Sequence, residues 1–213
     1  MQLIHYIKIL RPLNLLISII CVLLSAFILN QSAENLLPII LVVFLLGGFS
    51  NIVNDIIDYK IDSENNLNRP ISSNLISIKG AFIYSLLLLI IASMITINFN
   101  YLTQSLIFFI IVPLIILYTP FFKKIPLLGN LIVSFILSMV FVITSTYLLG
   151  EIHHDIFPPF IFSFFLMLIR EIVKDIADFE GDKKFNRDNA ITQLIPSHYL
   201  GGGVSSAAGF NKQ

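Results

Sequence analysis

Charge is what this 213-residue sequence has least of: Asp, Glu, Lys and Arg together supply 12% of it, against roughly 25% in a soluble globular domain. Hydrophobic residues make up 56%, above the roughly 45–50% of soluble chains, and a polytopic membrane protein is the class that fits. Net charge is zero. A nucleic-acid binder driven by phosphate neutralisation is therefore excluded. The single cysteine, Cys21, sits inside the first apolar segment, where neither a disulfide nor a cysteine-based metal site can be built. No charged residue falls near the centre of any apolar stretch, which argues against a non-catalytic cation transporter, the alternative of another class.

Six apolar stretches can be marked, at Leu13 to Leu29, Leu36 to Val53, Ala81 to Ile97, Leu102 to Tyr118, Leu127 to Leu149 and Ile156 to Val173. Each approaches the ~20 residues that cross a hydrocarbon core of about 30 Å. Several are rich in Ile and Phe, but backbone groups in lipid must be satisfied within the segment, so helices are expected and the fold class is all-α. The first stretch is longer than a signal peptide and has no small-residue cleavage site, so it reads as a retained helix.

Basic residues collect at one set of boundaries: Lys8 and Arg11, then Lys60, Arg69 and Lys79, then Lys123 and Lys124, then Arg170, Lys174, Lys183, Lys184 and Arg187. The alternate loops, Asn30 to Asn35, Asn98 to Tyr101 and Gly150 to Asp155, contain none. Short cytoplasmic loops accumulate Lys and Arg, so the expected location is the cell (inner) membrane, multi-pass, with a cytoplasmic N-terminus. His153 and His154, beside Glu151 and Asp155, read as a solvated turn on the opposite face, and His5 and His198 have no partner in view.

On that cytoplasmic face lies the segment Asn51 to Pro70. Asp55, Asp58 and Asp62 are three and then four residues apart, which places them within an arc of about 60° on a helix. Like charges so placed repel. A divalent cation resolves the repulsion, and hard oxygen ligands point to Mg²⁺. The spacing returns at Asp175, Asp178 and Asp182, again after an apolar segment, with Glu171 and Lys174 as polar counterparts of Asn51 and Asn54. Arg11-Pro12-Leu13-Asn14, Arg69-Pro70 and the segment from Tyr118 to Lys124 add polar and basic groups on the same face. Carboxylates holding Mg²⁺, Mg²⁺ holding a diphosphate, and Lys or Arg neutralising the remainder would suit an isoprenoid diphosphate whose tail lies among the helices. Ionisation of its allylic C–O bond would then alkylate a nearby acceptor in a pocket shielded from water.

These residues resemble the UbiA superfamily of intramembrane prenyltransferases. Its signature NDxxDxxxD is matched by Asn54, Asp55, Asp58 and Asp62, followed by Arg69-Pro70, and its second aspartate pair by Asp178 and Asp182, with Asp175 ahead. The likeness extends to Arg11-Pro12, the Tyr118 to Lys124 segment and Gly129-Asn130, from about residue 8 to residue 187. The resemblance implies Asn54, Asp55, Asp58, Asp62, Asp175, Asp178 and Asp182 as the metal-binding set, with Asp58, Asp62, Asp178 and Asp182 as the catalytic carboxylates. Asn14, Asn54, Arg69, Tyr118, Lys123, Lys124 and Lys174 are the substrate contacts expected with them. The implied partners are a prenyl diphosphate, membrane lipids and a lipid or aromatic acceptor.

The run from Arg170 to Asp182 looks most like the branch that transfers a geranylgeranyl group to geranylgeranylglyceryl phosphate. A 4-hydroxybenzoate, haem or chlorophyll-type acceptor is the alternative. The superfamily is expected to have nine membrane helices and this sequence supplies six. A membrane domain over residues 1–195, incomplete at its C-terminal side, and a disordered tail over 196–213 are therefore expected.

Overall fold

A computed structural model describes residues 2–64, 69–125 and 127–184, apart from the side chains of Gln2, Ile61, Glu64 and residues 177–184. The described residues are helical, without a strand. A short helix α1 (Gln2–Lys8) leads into α2 (Pro12–Ile28), followed by α3 (Leu37–Glu64) and α4 (Ile78–Thr96). Next come α5 (Tyr101–Leu106), a π-helical turn (Ile107–Ile111) and α6 (Val112–Tyr118), then α7 (Leu128–Leu149) and α8 (Phe157–Lys184). The expectation of a disordered tail over 196–213 lies outside the described residues.

Local chemistry accounts for the boundaries. Pro12 opens α2 at a position where a missing N–H costs nothing. The Ser77 and Asn100 side chains cap α4 and α5, accepting from the N–H groups of Gly80 and Thr103. Gly150, with φ 75°, closes α7 in the left-handed conformation that lets the chain leave the helix. Pro113 lacks the N–H that an unbroken α-helix needs, and the π turn just before it accommodates that loss.

The six expected spans correspond to six apolar helical segments. Five are at least 18 residues long: Leu37–Lys60, Ile78–Thr96, Tyr101–Tyr118, Leu128–Leu149 and His154–Ile176. The remaining one, α2, has 17 residues and extends about 25 Å at 1.5 Å per residue. Two helices outrun their apolar stretches. At 28 residues, α3 is about 42 Å long, so the aspartate segment continues the membrane helix beyond the roughly 30 Å hydrocarbon core. Likewise α8 runs on to Lys184 instead of stopping near Val173.

In the bundle, α3 packs against α2 and α4, and α7 against α2 and α8. Helix α7 is the central element, since Met139 through Thr146 is buried without interruption, as expected for a helix enclosed on all sides. Several of its hydroxyls are satisfied within the helix: Ser134, Thr144 and Thr146 donate to the carbonyls of Asn130, Val140 and Ile143. Small side chains of this kind let neighbouring helices approach closely. On the outside, Ile161, Phe162, Phe165, Ile169 and Val173 of α8 are exposed, in keeping with a lipid-facing surface.

The end of the bundle opposite the aspartates is held by Asn100. Its side-chain oxygen accepts from Thr103 N and Thr103 Oγ1 at 3.0 Å, and its Nδ2 donates to the Thr146 carbonyl at 2.7 Å. Asn100→Ala is expected to remove a cap and an interhelical bond together, lowering stability by about 2 kcal/mol. Thermal unfolding of the detergent-solubilised protein measures this, and an unchanged midpoint would contradict it.

Candidate active site

Asp55, Asp58 and Asp62 line one side of the last turns of α3, and their exposures are 2%, 3% and 4%. Burying an unpaired carboxylate costs several kcal/mol, so each must find a counter-charge. Three separate segments deliver one. Arg11, between α1 and α2, pairs with Asp55. Arg69, after α3, donates from Nη1 to Asp62 Oδ2 at 2.6 Å and to Asp55 Oδ1 at 3.3 Å. Lys123, on the 3₁₀ turn Phe122–Lys124 after α6, pairs with Asp58 and donates to Asn54 Oδ1 at 3.3 Å. The predicted repulsion is thus met by protein cations. Burial pushes the Asp62 carboxyl above the usual carboxylate range, the Arg69 guanidinium opposes that rise, and Asp58 and Asp55 add to it.

One of these contacts depends on residues outside the expected set, Arg11 and Asn51. Arg11 adopts the left-handed conformation, φ 56° and ψ 65°, rare for a side chain of its size. Asn51 Nδ2 donates to the Leu10 carbonyl at 2.8 Å and ties that junction to α3. Sequence carried a signal for Arg11, a basic residue before Pro12 at a helix start, but none for the Asn51 bond, which joins residues 41 apart.

On α8, Asp175 is half-buried and accepts from Asn130 Nδ2 at 2.8 Å. Glu171, 4% exposed, is held by Arg170 Nη1 at 2.6 Å and by Lys174. Asp178 and Asp182 lie further along α8, but their side chains fall outside those described. Helix α7 touches both α3 and α8.

Some expected substrate contacts take other places. Lys174 pairs with buried Glu171 on its own helix. Of the two adjacent lysines, Lys123 reaches the α3 carboxylates, while Lys124 is exposed and makes no ion pair among the described residues. Asn14 is half-buried in the first turn of α2, three residues after Arg11, and Tyr118 is half-buried where α6 ends.

The opposite end carries little that matches this chemistry. His153, His154 and Asp155 bring donor atoms within 4.8 Å of one another. His153 Nδ1 there accepts from the Asp155 N–H at 3.4 Å and so caps its own turn. A cavity of about 400 Å³ at that end is lined by Gln31, Ser32, Asn35, Asn98, Asn100 and Tyr147, with no carboxylate.

The donor types of the α3 row suit Mg²⁺: the amide oxygen of Asn54 and the carboxylates of Asp55, Asp58 and Asp62 are hard oxygen donors, each carboxylate held here by a protein cation.

A polytopic helical membrane protein with a buried, cation-paired carboxylate row at one end of its bundle is the class that fold and site define. Within it, the chain belongs to the UbiA prenyltransferase family, which matches residues 15–194. It is 38% identical over 182 residues to digeranylgeranylglyceryl phosphate synthase of Methanosphaera stadtmanae, across 84% of this chain and 65% of that protein. To the enzyme of the same name from Methanothermobacter thermautotrophicus it is 36% identical over 178 residues, across 84% and 62%. The chain therefore spans a little under two thirds of the length of these relatives.

Among solved structures, one concerned with digeranylgeranylglyceryl phosphate synthase in membranes superposes with a TM-score of 0.76 at 28% identity, covering 91% of this chain and 69% of that one. A UbiA homologue from Archaeoglobus fulgidus bound to GPP and Mg²⁺ shares the fold at 21% identity and a TM-score of 0.71, over 92% and 71%. The expected superfamily and the helical membrane architecture are borne out, and the relatives named here carry the name of the expected branch.

Arg69 serves two carboxylates and is itself about one-third exposed. Arg69→Gln is expected to lower the stability of the metal-free protein by about 2 kcal/mol, less than a fully buried pair would lose. Added Mg²⁺ should restore part of that loss. Thermal unfolding in EDTA and in Mg²⁺ checks both statements.

Proposed function

We propose that this chain takes part in Mg²⁺-dependent transfer of a geranylgeranyl group from its diphosphate to geranylgeranylglyceryl phosphate. The observation that carries the reading is the buried row Asp55, Asp58 and Asp62, met by Arg11, Arg69 and Lys123 from three segments at one end of a membrane bundle. The names of the curated relatives, and a homologue of the same fold that binds GPP and Mg²⁺, support the substrates and the metal.

In this reading Asn54, Asp58 and Asp62 would hold the metal from α3, with Asp55 in support, and Asp178 and Asp182 would hold it from α8, with Asp175 in support. Bound there, Mg²⁺ would supply positive charge that neutralises the diphosphate and favours its departure. Lys123 and Arg69 already stand beside the carboxylates, so they can shift a hydrogen bond onto phosphate oxygens with little movement of the chain. Arg11 stays with Asp55 and balances its charge. The apolar helices receive the prenyl tail and keep water from the reacting carbon. The allylic C–O bond breaks and its electron pair leaves with the diphosphate. The acceptor hydroxyl oxygen bonds to the allylic carbon, and its proton passes to the departing phosphate.

The charge asymmetry of the loops supports a cytoplasmic orientation for this end of the bundle, at the cell membrane.

Membranes containing the chain, supplied with radiolabelled geranylgeranyl diphosphate, Mg²⁺ and geranylgeranylglyceryl phosphate, should form a doubly prenylated product. EDTA should abolish it, and Asp58→Asn should slow it by about 100-fold or more. Product from 4-hydroxybenzoate alone would overturn the acceptor assignment. No product from any acceptor would overturn the reading for this chain.

A further inference from the structure

Lys123 comes from a turn that lies directly on the start of α7. A Cβ built on Gly129 would stand 3.0 Å from the Phe122 carbonyl oxygen and 3.1 Å from Lys123 Cα. Both neighbours are backbone. Gly47 and Gly48 of α3 are equally crowded, but by Leu15 Cδ2 at 2.7 Å and Leu10 Cδ2 at 2.9 Å, the ends of side chains that can rotate away. At Gly129 nothing can yield except the turn that carries Lys123.

The join is tight in other ways as well. Gly129 N donates to the Ile125 carbonyl at 3.1 Å. Leu127, two residues earlier, holds φ 61° and ψ −40°, an unfavourable conformation for a leucine that only firmly held surroundings maintain. The next residue, Asn130, is 8% exposed and donates to Asp175 on α8. Consecutive residues of α7 therefore touch, on one side, the segment whose lysine meets Asp58 and, on the other, an acid of the second row.

We propose that Gly129 and Asn130 are positioning residues. Gly129 seats the Phe122–Lys124 turn so that Lys123 reaches Asp58 and Asn54, and Asn130 sets Asp175, so that one step of α7 fixes the spacing between the α3 and α8 rows. The ligand they serve, a diphosphate group, rests on the function proposed above; the placement of Lys123 does not.

The test uses the full chain in detergent with inorganic pyrophosphate and Mg²⁺ as the probe, titrated calorimetrically. Gly129→Ala should weaken pyrophosphate about 10-fold, and should add nothing further in a Lys123→Met background. Gly47→Ala, the crowded control, should stay within about twofold. These fold-changes are those of a displaced charge-assisted hydrogen bond. Asn130→Ala removes atoms and cannot clash, so it keeps the proposal testable if Gly129→Ala fails to fold; its effect should vanish in an Asp175→Ala background. Full additivity in either pair, or no loss from either single variant, overturns the proposal. If the unaltered chain does not bind pyrophosphate, the functional reading fails instead. Thermal unfolding of the same four-protein sets then decides the positioning claim, with non-additive shifts supporting it and additive ones refuting it.

Discussion

Carboxylates withdrawn from water at the end of an apolar helix must be given positive charge, and the arrangement of this end of the bundle follows from that requirement. Asp55, Asp58 and Asp62 are fixed to α3, so the compensating groups have to come to them. They arrive from the α1–α2 junction, the segment after α3 and the turn after α6. Each ion pair thereby ties a loop to α3, and the loops between membrane helices become parts of the site. The same electrostatic demand acts on α8, where buried Glu171 draws in Arg170 and Lys174.

Much of this was legible in the sequence. Segment lengths and backbone satisfaction in lipid dictated helices in spite of the Ile- and Phe-rich composition. The three-then-four spacing put Asp55, Asp58 and Asp62 on one face, and all three are buried together. Spacing could not say which cation meets which acid. Lys123 and Lys124 are neighbours with the same chemistry, and their fates separate only because a 3₁₀ turn aims one inward. Lys174 looked equivalent to the other basic residues, yet a glutamate three positions away captures it. Asn51 and Asn130 make bonds across 41 and 45 residues, a kind of information that local periodicity does not contain.

The two ends of the bundle are built on different principles. At the carboxylate end, ionic pairs bridge loops and helices. At the other, neutral amides and hydroxyls do so: Asn100 reaches the α7 backbone, and the Tyr147 hydroxyl donates to the Asn35 carbonyl at 2.8 Å. Such uncharged contacts need no exchangeable partner and are suited to holding a fixed shape. Ion pairs that can be redirected to an incoming anion are suited to binding one. Between them α7, buried along its middle turns, meets both.

The π turn at Ile107–Ile111 inserts one extra residue into the span, and one residue of helix is worth about 100° of rotation about its axis. Residues below the insertion are dialled round relative to those above it. Helix α5 packs on α7, and α6 on α3 as well as α7. A single widened turn thus acts as a change of gear, letting one membrane crossing serve the neutral latch at its start and hand over the lysine-bearing turn at its finish.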